Sequence, residues 1–364
     1  MLSYFEKKPL KSPLLLDCTL RDGSYEVDFQ FDHDFTKLYC EKINHAGVKM
    51  VEVGHGVGLG ASRKQIGIAK ETDESYMLAA SEGLNAGYWG MFCIPGIAEL
   101  ADIKIAADYG MNFIRLGVDI NNVHQLKDYI KIARDLGLFV FTNFMKSYAS
   151  SPDEFLQASL HAQSYGAQGI YVVDSAGGML PNELKGFLDI IKDPKLDNMI
   201  TGFHGHNNIG LAVSNTLYAI DQGVQIVDVS VRGLGRSSGN ASFEQVLACM
   251  ARMGIVSDID IIDVMTIGDE MVSKFLRHDR NSSLDVTAGL ALFHSSYYPV
   301  IKSFSDKYGV DPRKLILSLC EIDKLNAPHD LVEKIAKKLA KEGSLGSWKK
   351  QFRNYDVNEQ GIKI

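Results

Sequence analysis

Short apolar, β-branched runs recur along the chain, separated by longer segments in which apolar residues return with helical spacing. The runs are PLLLDCTL (13–20), VKMVEVG (48–54), GYWGMFCI (87–94), MNFIRLGVD (111–119), LFVFTNFMKS (138–147), GIYVVDS (169–175), MITGFHGH (199–206) and VQIVDVSVRG (224–233). Runs this short and continuous predict strands buried on both faces. Helices are predicted between them at 34–47, 97–110, 125–137, 152–166 and 211–223, and each segment ends in the glycine that a helix C-terminus favours. Strands alternating with helices in this way predict the α/β class and a (β/α)8 TIM barrel. A doubly wound open sheet would carry a G-x-G-x-x-G turn after its first strand, and none is there.

Beyond residue 270 the alternation stops. The stretches 286–309, 312–325 and 328–343 are helical in pattern, so a barrel over 1–270 and a smaller helical domain over 271–364 are expected. The last stretch, SWKKQFRNYDVNEQGIKI (347–364), has weak periodicity and is expected to be a loosely docked tail.

Composition narrows the function classes. The chain has 364 residues, 46% hydrophobic and 23% charged, with a mean hydropathy of −0.05. These values suit a folded chain with a sizeable core. A net charge of −7 argues against nucleic acid and against an anionic membrane surface as partners, leaving small molecules and other proteins. No apolar run approaches the roughly 18 residues a membrane span needs, and a cytoplasmic protein is expected. Cys18, Cys40, Cys93, Cys249 and Cys320 are odd in number and mostly set in apolar runs, which predicts reduced core thiols.

In such a barrel the reactive groups gather where the strands end. Those positions hold Arg21 and Asp22 after strand one, Glu52 and His55 at strand two, and Arg115 and Asp119 at strand four. Asn143 and Lys146 end strand five, Asp174 strand six, His204 and His206 strand seven, and Arg232, Arg236 and Asn240 follow strand eight. Residues two apart on a strand face the same side, so His204 and His206 can present two imidazoles to one ion. Asp22 can add a carboxylate and Asn240 a neutral oxygen, a set that suits Mn²⁺, Fe²⁺, Co²⁺ or Zn²⁺. On the residues alone, the two histidines read equally as hydrogen-bonded polar groups, and Arg21-Asp22 as an ion pair. The loop GLGRSSGNASFE (233–244) reads either as a flexible turn or as a backbone nest, with Gly235 and Gly239, around a carboxylate or phosphate.

Taken in order, DCTLRDG (17–23), VEVGHG (51–56), VVDSAGGM (172–179), GFHGHNN (202–208) and GLGRSSGNA (233–241) carry a resemblance. The chain resembles the DRE-TIM metallolyase superfamily, the pyruvate-carboxyltransferase-like and HMG-CoA-lyase-like enzymes, and is most similar to the 4-hydroxy-2-oxovalerate aldolases. The resemblance implies that Asp22, His204 and His206 ligate a divalent ion with Asn240 nearby. The ion implied is most often Mn²⁺, with Mg²⁺, Co²⁺ or Zn²⁺ as alternatives, and Arg21 is placed on the enolate oxygen. There is one departure. The aldolases have an acid/base histidine four residues after the arginine and a tyrosine in the C-terminal segment, where this chain has Tyr25 and His294. The two side-chain types look exchanged, so His294 is the expected base and Tyr25 a hydrogen-bond donor.

The expected activity is that of a class II aldolase, cleaving a 4-hydroxy-2-oxo acid to pyruvate and an aldehyde through a metal-stabilised enolate, or forming it. His55, Glu52, Asp174, Lys146, Gly235 and Gly239 are expected to line the substrate. His55, Tyr25, His294 and the NFMKS stretch suggest a hydroxylated or charged aldehyde. The alternatives are an acyl-CoA-dependent Claisen synthase, a class I aldolase using Lys146, and a catalytically lapsed docking subunit. A homo-oligomer is expected, and the resemblance adds an aldehyde dehydrogenase as a possible partner of the C-terminal segment.

Overall fold

Eight parallel strands pair in chain order and close into a barrel: β1 (Leu14–Asp17), β2 (Met50–Val53), β3 (Tyr88–Cys93), β4 (Phe113–Asp119), β5 (Phe139–Met145), β6 (Gly169–Asp174), β7 (Ile200–Gly205) and β8 (Ile226–Val229). Closure is made by β8 against β1, from Leu14 opposite Ile226 to Asp17 opposite Val229. The computed structural model describes residues 13–276 and 282–343. Every strand lies inside one of the apolar runs, because a strand covered by helices outside and packed side chains inside has no solvent face to alternate toward.

After a single helical turn at Thr19–Asp22, the barrel helices are α1 (His33–His45), α2 (Asp73–Gly83), α3 (Leu100–Asp108), α4 (Lys127–Asp135), α5 (Pro152–Tyr165), α6 (Pro181–Ile190), α7 (Ala212–Asp221), α8 (Phe243–Arg252) and α9 (Ile261–Ile267). Helix α2 escapes the sequence pattern because its buried face is built largely from Ala79, Ala80 and Gly83 beside Tyr76 and Met77, which carry little amphipathic contrast.

Inward-facing residues fill the barrel in layers. The lower layers are apolar, with Leu16, Met50, Phe113, Phe139, Phe141, Tyr171, Ile200 and Ile226 in one buried cluster. Phe113 and Phe141 meet edge to face, as do Phe141 and Tyr171, at centroid distances of 6.0 and 5.6 Å. Gly202 leaves room for that stack, since a Cβ there would sit 2.4 Å from the Tyr171 ring. Two residues further along the strands the same inward phase turns polar, giving Glu52, Arg115, Asn143, His204 and Asp228.

The barrel's apolar core extends to Val272, with Phe275 and Leu276 packed against it. A second core begins at Leu284 and is built by α10 (Ser283–Ala291), α11 (Tyr298–Tyr308), α12 (Pro312–Cys320) and α13 (His329–Lys341). The helical pattern over 286–309 is broken where a continuous helix is expected. Leu292 adopts a left-handed φ of 55° that ends α10, and Pro299 sits in the first turn of α11, where a missing N–H costs nothing. The break carries His294. All five cysteines are free thiols, and among the described residues no helix is long and apolar enough to cross a membrane. The expected tail lies outside the described residues.

Candidate active site

Strand β7 carries His204 and ends at Gly205, with His206 next in a bridge to Asn240, and the two imidazoles meet with Nε2 atoms 3.4 Å apart. Each ring is oriented from behind. His204 Nδ1 lies 2.8 Å from Asp228 Oδ2, and His206 Nδ1 lies 3.3 Å from the Gly239 carbonyl. A carboxylate and a carbonyl accept only, so these bonds place a proton on each Nδ1 and turn both Nε2 atoms toward one point. Two Nε2 atoms this close can both bind one cation placed beside them. Asp22 supplies the charge: one ligand atom from each of Asp22, His204 and His206 falls within 4.8 Å of the others, and all three residues are buried. This donor chemistry fits the divalent ion that the sequence implies.

A second grouping of Cys18, His204 and Asp228 is equally close. It is the poorer donor set. Burial raises the Cys18 thiol well above its ordinary pKa, and its Sγ already faces the Val229 carbonyl at 3.3 Å. Asp228 is committed to Arg115 and His204.

The Asp22 carboxyl is desolvated, which raises its pKa. The Arg21 guanidinium and the nearby imidazoles override that effect and hold it well below the usual range. Burial pushes His206 down to about 3, with Asp22 pulling the other way. Asn240 donates from Nδ2 to Asp22 Oδ2 at 2.8 Å, while its Oδ1 is buried with no hydrogen-bond partner. That oxygen is therefore available as the neutral donor the sequence suggests. Gly235 makes the approach possible, because a Cβ there would lie 2.4 Å from Asn240 Nδ2 and 2.9 Å from Asp22.

Around these residues runs a chain of alternating buried charges. Arg21 binds Asp22 at 2.7 Å and Glu52 at 2.8 Å; Arg115 binds the same Glu52 oxygen at 2.8 Å and Asp228 at 2.5 Å. Asp228 returns the chain to His204, so the ligand set is braced at Asp22 and at His204 by one network. Arg115 is fully buried, its guanidinium 4.4 Å from the Tyr171 ring centroid. The strand-end pattern offers Arg115 without a role and does not single out Asp228. The signal was present in the inward phase of β8, where Asp228 follows Ile226 by two residues.

The remaining expected residues divide. Glu52 lies in the network and supports Arg21. Gly239 is at the site through its carbonyl on His206. Asp174 accepts from the Gly178 and Met179 amides and shapes the loop after β6, with burial raising its carboxyl to about 6. His55 is not brought to the ligand set by any contact: it stacks on Phe29 at 4.0 Å, accepts from the Val57 amide, and faces the Gly67 carbonyl. Both its nitrogens serve its own loop. Lys146, in a left-handed conformation, reaches the Leu325 carbonyl at 2.9 Å, Tyr297 Oη at 3.2 Å and Asp119 at 3.6 Å. It joins the barrel to the C-terminal helices.

His294 is brought to the mouth from the break between α10 and α11. Its Nε2 accepts from Arg236 Nη2 at 2.8 Å, and its Nδ1 lies 2.7 Å from Ser296 Oγ. The same guanidinium covers the Tyr25 ring at 5.0 Å. The exchanged imidazole and phenol therefore both contact one arginine. Burial, with Arg236 and Lys146 nearby, pushes His294 well below its ordinary pKa and keeps it neutral.

The HMGL-like family model matches residues 12–271. The chain is 32% identical to the 4-hydroxy-2-oxovalerate aldolase of Carboxydothermus hydrogenoformans, over 90% of this chain and 97% of that one. It is 31% identical to 4-hydroxy-2-oxovalerate aldolase 2 of Nocardia farcinica, over 91% and 96%. Among solved structures, the carboxyl transferase domain of Rhizobium etli pyruvate carboxylase with pyruvate and biocytin superposes with a TM-score of 0.75 at 14% identity, covering 92% of this chain and 62% of that one. The HMG-CoA lyase of Bacillus subtilis gives 0.60 at 14% identity, over 73% and 94%. At those identities the structures speak to fold alone. Matched over most of its length by sequence, with the barrel and its donor set in place, the chain belongs to the HMGL-like family and, within it, to the family of the 4-hydroxy-2-oxovalerate aldolases.

Proposed function

We propose that this enzyme cleaves a 4-hydroxy-2-oxo acid to pyruvate and an aldehyde, and runs the same step in reverse, with Asp22, His204 and His206 as ligands of a divalent ion, Mn²⁺ first among the candidates. It is a metal-dependent class II aldolase, a carbon–carbon lyase. The observation that carries the ligand assignment is the pair of imidazole Nε2 atoms 3.4 Å apart, clustered with the Asp22 carboxylate. When bound, such an ion acts as a Lewis acid toward the carboxylate and keto oxygens of the 2-oxo acid.

The chain's own groups account for the rest. Glu52 and Asp22 hold two guanidinium nitrogens of Arg21, and its Nη2 makes no hydrogen bond among the described residues. That nitrogen is the donor for the oxygen on which enolate charge develops. His294 is the base, taking the 4-hydroxyl proton on Nε2 in place of the hydrogen bond from Arg236. Breaking C3–C4 then releases the aldehyde, and a proton delivered to C3 of the pyruvate enolate completes the balance. Tyr25 lies against the same guanidinium and supplies a phenolic donor.

Exchange of pyruvate methyl protons in D₂O, followed by NMR on metal-stripped protein with and without Mn²⁺, tests the assignment. Exchange that appears only with the ion is expected. Exchange without it would transfer the chemistry to Lys146, checked by borohydride trapping, and no exchange in either sample would favour an acyl-CoA synthase.

A pH profile tests the base. Imidazole must be neutral to accept a proton, and the pKa of His294 lies well below 6.5, so kcat/KM should show no acid limb near pH 6.5. A limb centred there, abolished in Tyr25→Phe and kept in His294→Ala, would reverse the two roles.

A further inference from the structure

The mouth of the barrel holds a cleft of about 320 Å³ beside the ends of β3, β4 and β5. Its apolar floor is Ile94, Gly117, Val118 and Met145, and its polar wall is Asp119, Asn122 and Gln125. The strand phase aims that wall. Arg115, Gly117 and Asp119 alternate on the inward face of β4, so Asp119 stands over the barrel interior about 13 Å along the strand from Arg115, at ~3.3 Å per residue. In the register Gly117 lies opposite Asn143 and Asp119 opposite Met145.

The cleft adjoins the reaction centre. Ile94 and Met145 belong to one buried cluster with Phe92 and Tyr25, and the Arg21 guanidinium lies over the Phe92 ring at 4.8 Å. Phe92 thus lies between that guanidinium and Gly117, which lines the cleft. Gly117 has to be glycine for this arrangement, because a Cβ there would fall 2.4 Å from that ring.

Asp119 decides the chemistry. Its Oδ2 faces Lys146 Nζ at 3.6 Å, and its Oδ1 is buried with no hydrogen-bond partner. The Asp119 side chain is 15% exposed and lines the cleft, so its carboxylate stands ready to accept from a ligand hydroxyl there. A carboxylate also repels phosphate and carboxylate groups, while Lys146 is engaged by Asp119, Tyr297 and the Leu325 carbonyl. The amides of Asn122 and Gln125 both donate and accept. By volume the cleft lies in the roughly 300–1,000 Å³ range of small-molecule sites, well beyond the need of a two- or three-carbon alkyl aldehyde.

We propose that this cleft receives the chain of the aldehyde partner and selects a neutral aldehyde bearing hydroxyl groups beyond its carbonyl carbon, with Asp119 as hydroxyl acceptor. This rests on the aldolase reading above. It replaces His55 with Asp119, Asn122 and Gln125 as the residues that read the aldehyde, and it separates hydroxylated from charged substrates.

The test is the rate of condensation with pyruvate by the Mn²⁺-loaded enzyme on matched aldehydes: glyceraldehyde against propanal, erythrose against butanal, and glyceraldehyde against its 3-phosphate. The hydroxylated, uncharged member of each pair is expected to lead in kcat/KM by about tenfold or more. Asp119→Leu should shift each alkyl comparison toward the alkyl aldehyde. Because that variant removes the carboxylate facing Lys146, Asn122→Leu provides a second one, with a smaller shift in the same direction. Preference for propanal and butanal, or for the phosphate ester, in the wild-type enzyme overturns the proposal. Pyruvate exchange in the same preparation needs no aldehyde. If exchange is intact and the preference is wrong, only the cleft assignment fails; if exchange is absent, the aldolase reading fails and this one with it.

Discussion

Arg21→Ala lowers kcat for cleavage by about 10²–10³-fold, the loss seen when one preorganised donor is taken from a developing oxyanion. The residue is 6% exposed and its side chain is bound to both Asp22 and Glu52, so its charge is held in place before substrate arrives. A group fixed in this way reorganises little as negative charge grows, which is why the expected loss falls on kcat more than on KM. Pyruvate proton exchange should fall with cleavage, because both pass through the enolate. A variant that loses cleavage and keeps exchange at the wild-type rate would place Arg21 at the aldehyde end.

Arg115→Met destabilises the barrel by about 3–5 kcal/mol, since it leaves Glu52 and Asp228 buried with one compensating cation removed. Chemical unfolding measures the loss. Its pH dependence has a definite sign. Burial raises the Asp228 carboxyl, but Arg115 and then His204 hold its pKa below the ordinary value. A carboxylate with a lowered folded pKa contributes stability above its unfolded pKa and loses it as pH falls through the folded one. The deficit of the variant is therefore largest at neutral pH and narrows in acid. Metal affinity should drop about 10–100-fold as well, because Asp228 orients His204. Equal stability in wild type and variant at pH 7 would show that methionine packing replaces the ion pairs without cost.

The architecture could be read along the chain because each barrel strand is a local signal. Runs such as LFVFTNFMKS and MITGFHGH are apolar on both faces and lie within short reach of helical segments ending in glycine. Helix α2 was not legible, since Ala79, Ala80 and Gly83 bury well without amphipathic contrast. The break at Leu292 was missed because a left-handed residue there is set by docking the helices, not by a local glycine.

In the site, the two-residue spacing of His204 and His206 already placed both imidazoles on one face of a strand. The sequence by itself determined the barrel and the residue types available at the strand ends, because these depend on local period and composition. Only the tertiary structure decided what those residues touch. It joined Asp22 to Asn240 across 218 positions and Arg115 to Asp228 across 113, committed His55 to its own loop, and brought His294 onto Arg236. A side chain's partners depend on distances closed by the folded barrel, and those distances have no counterpart in spacing along the chain.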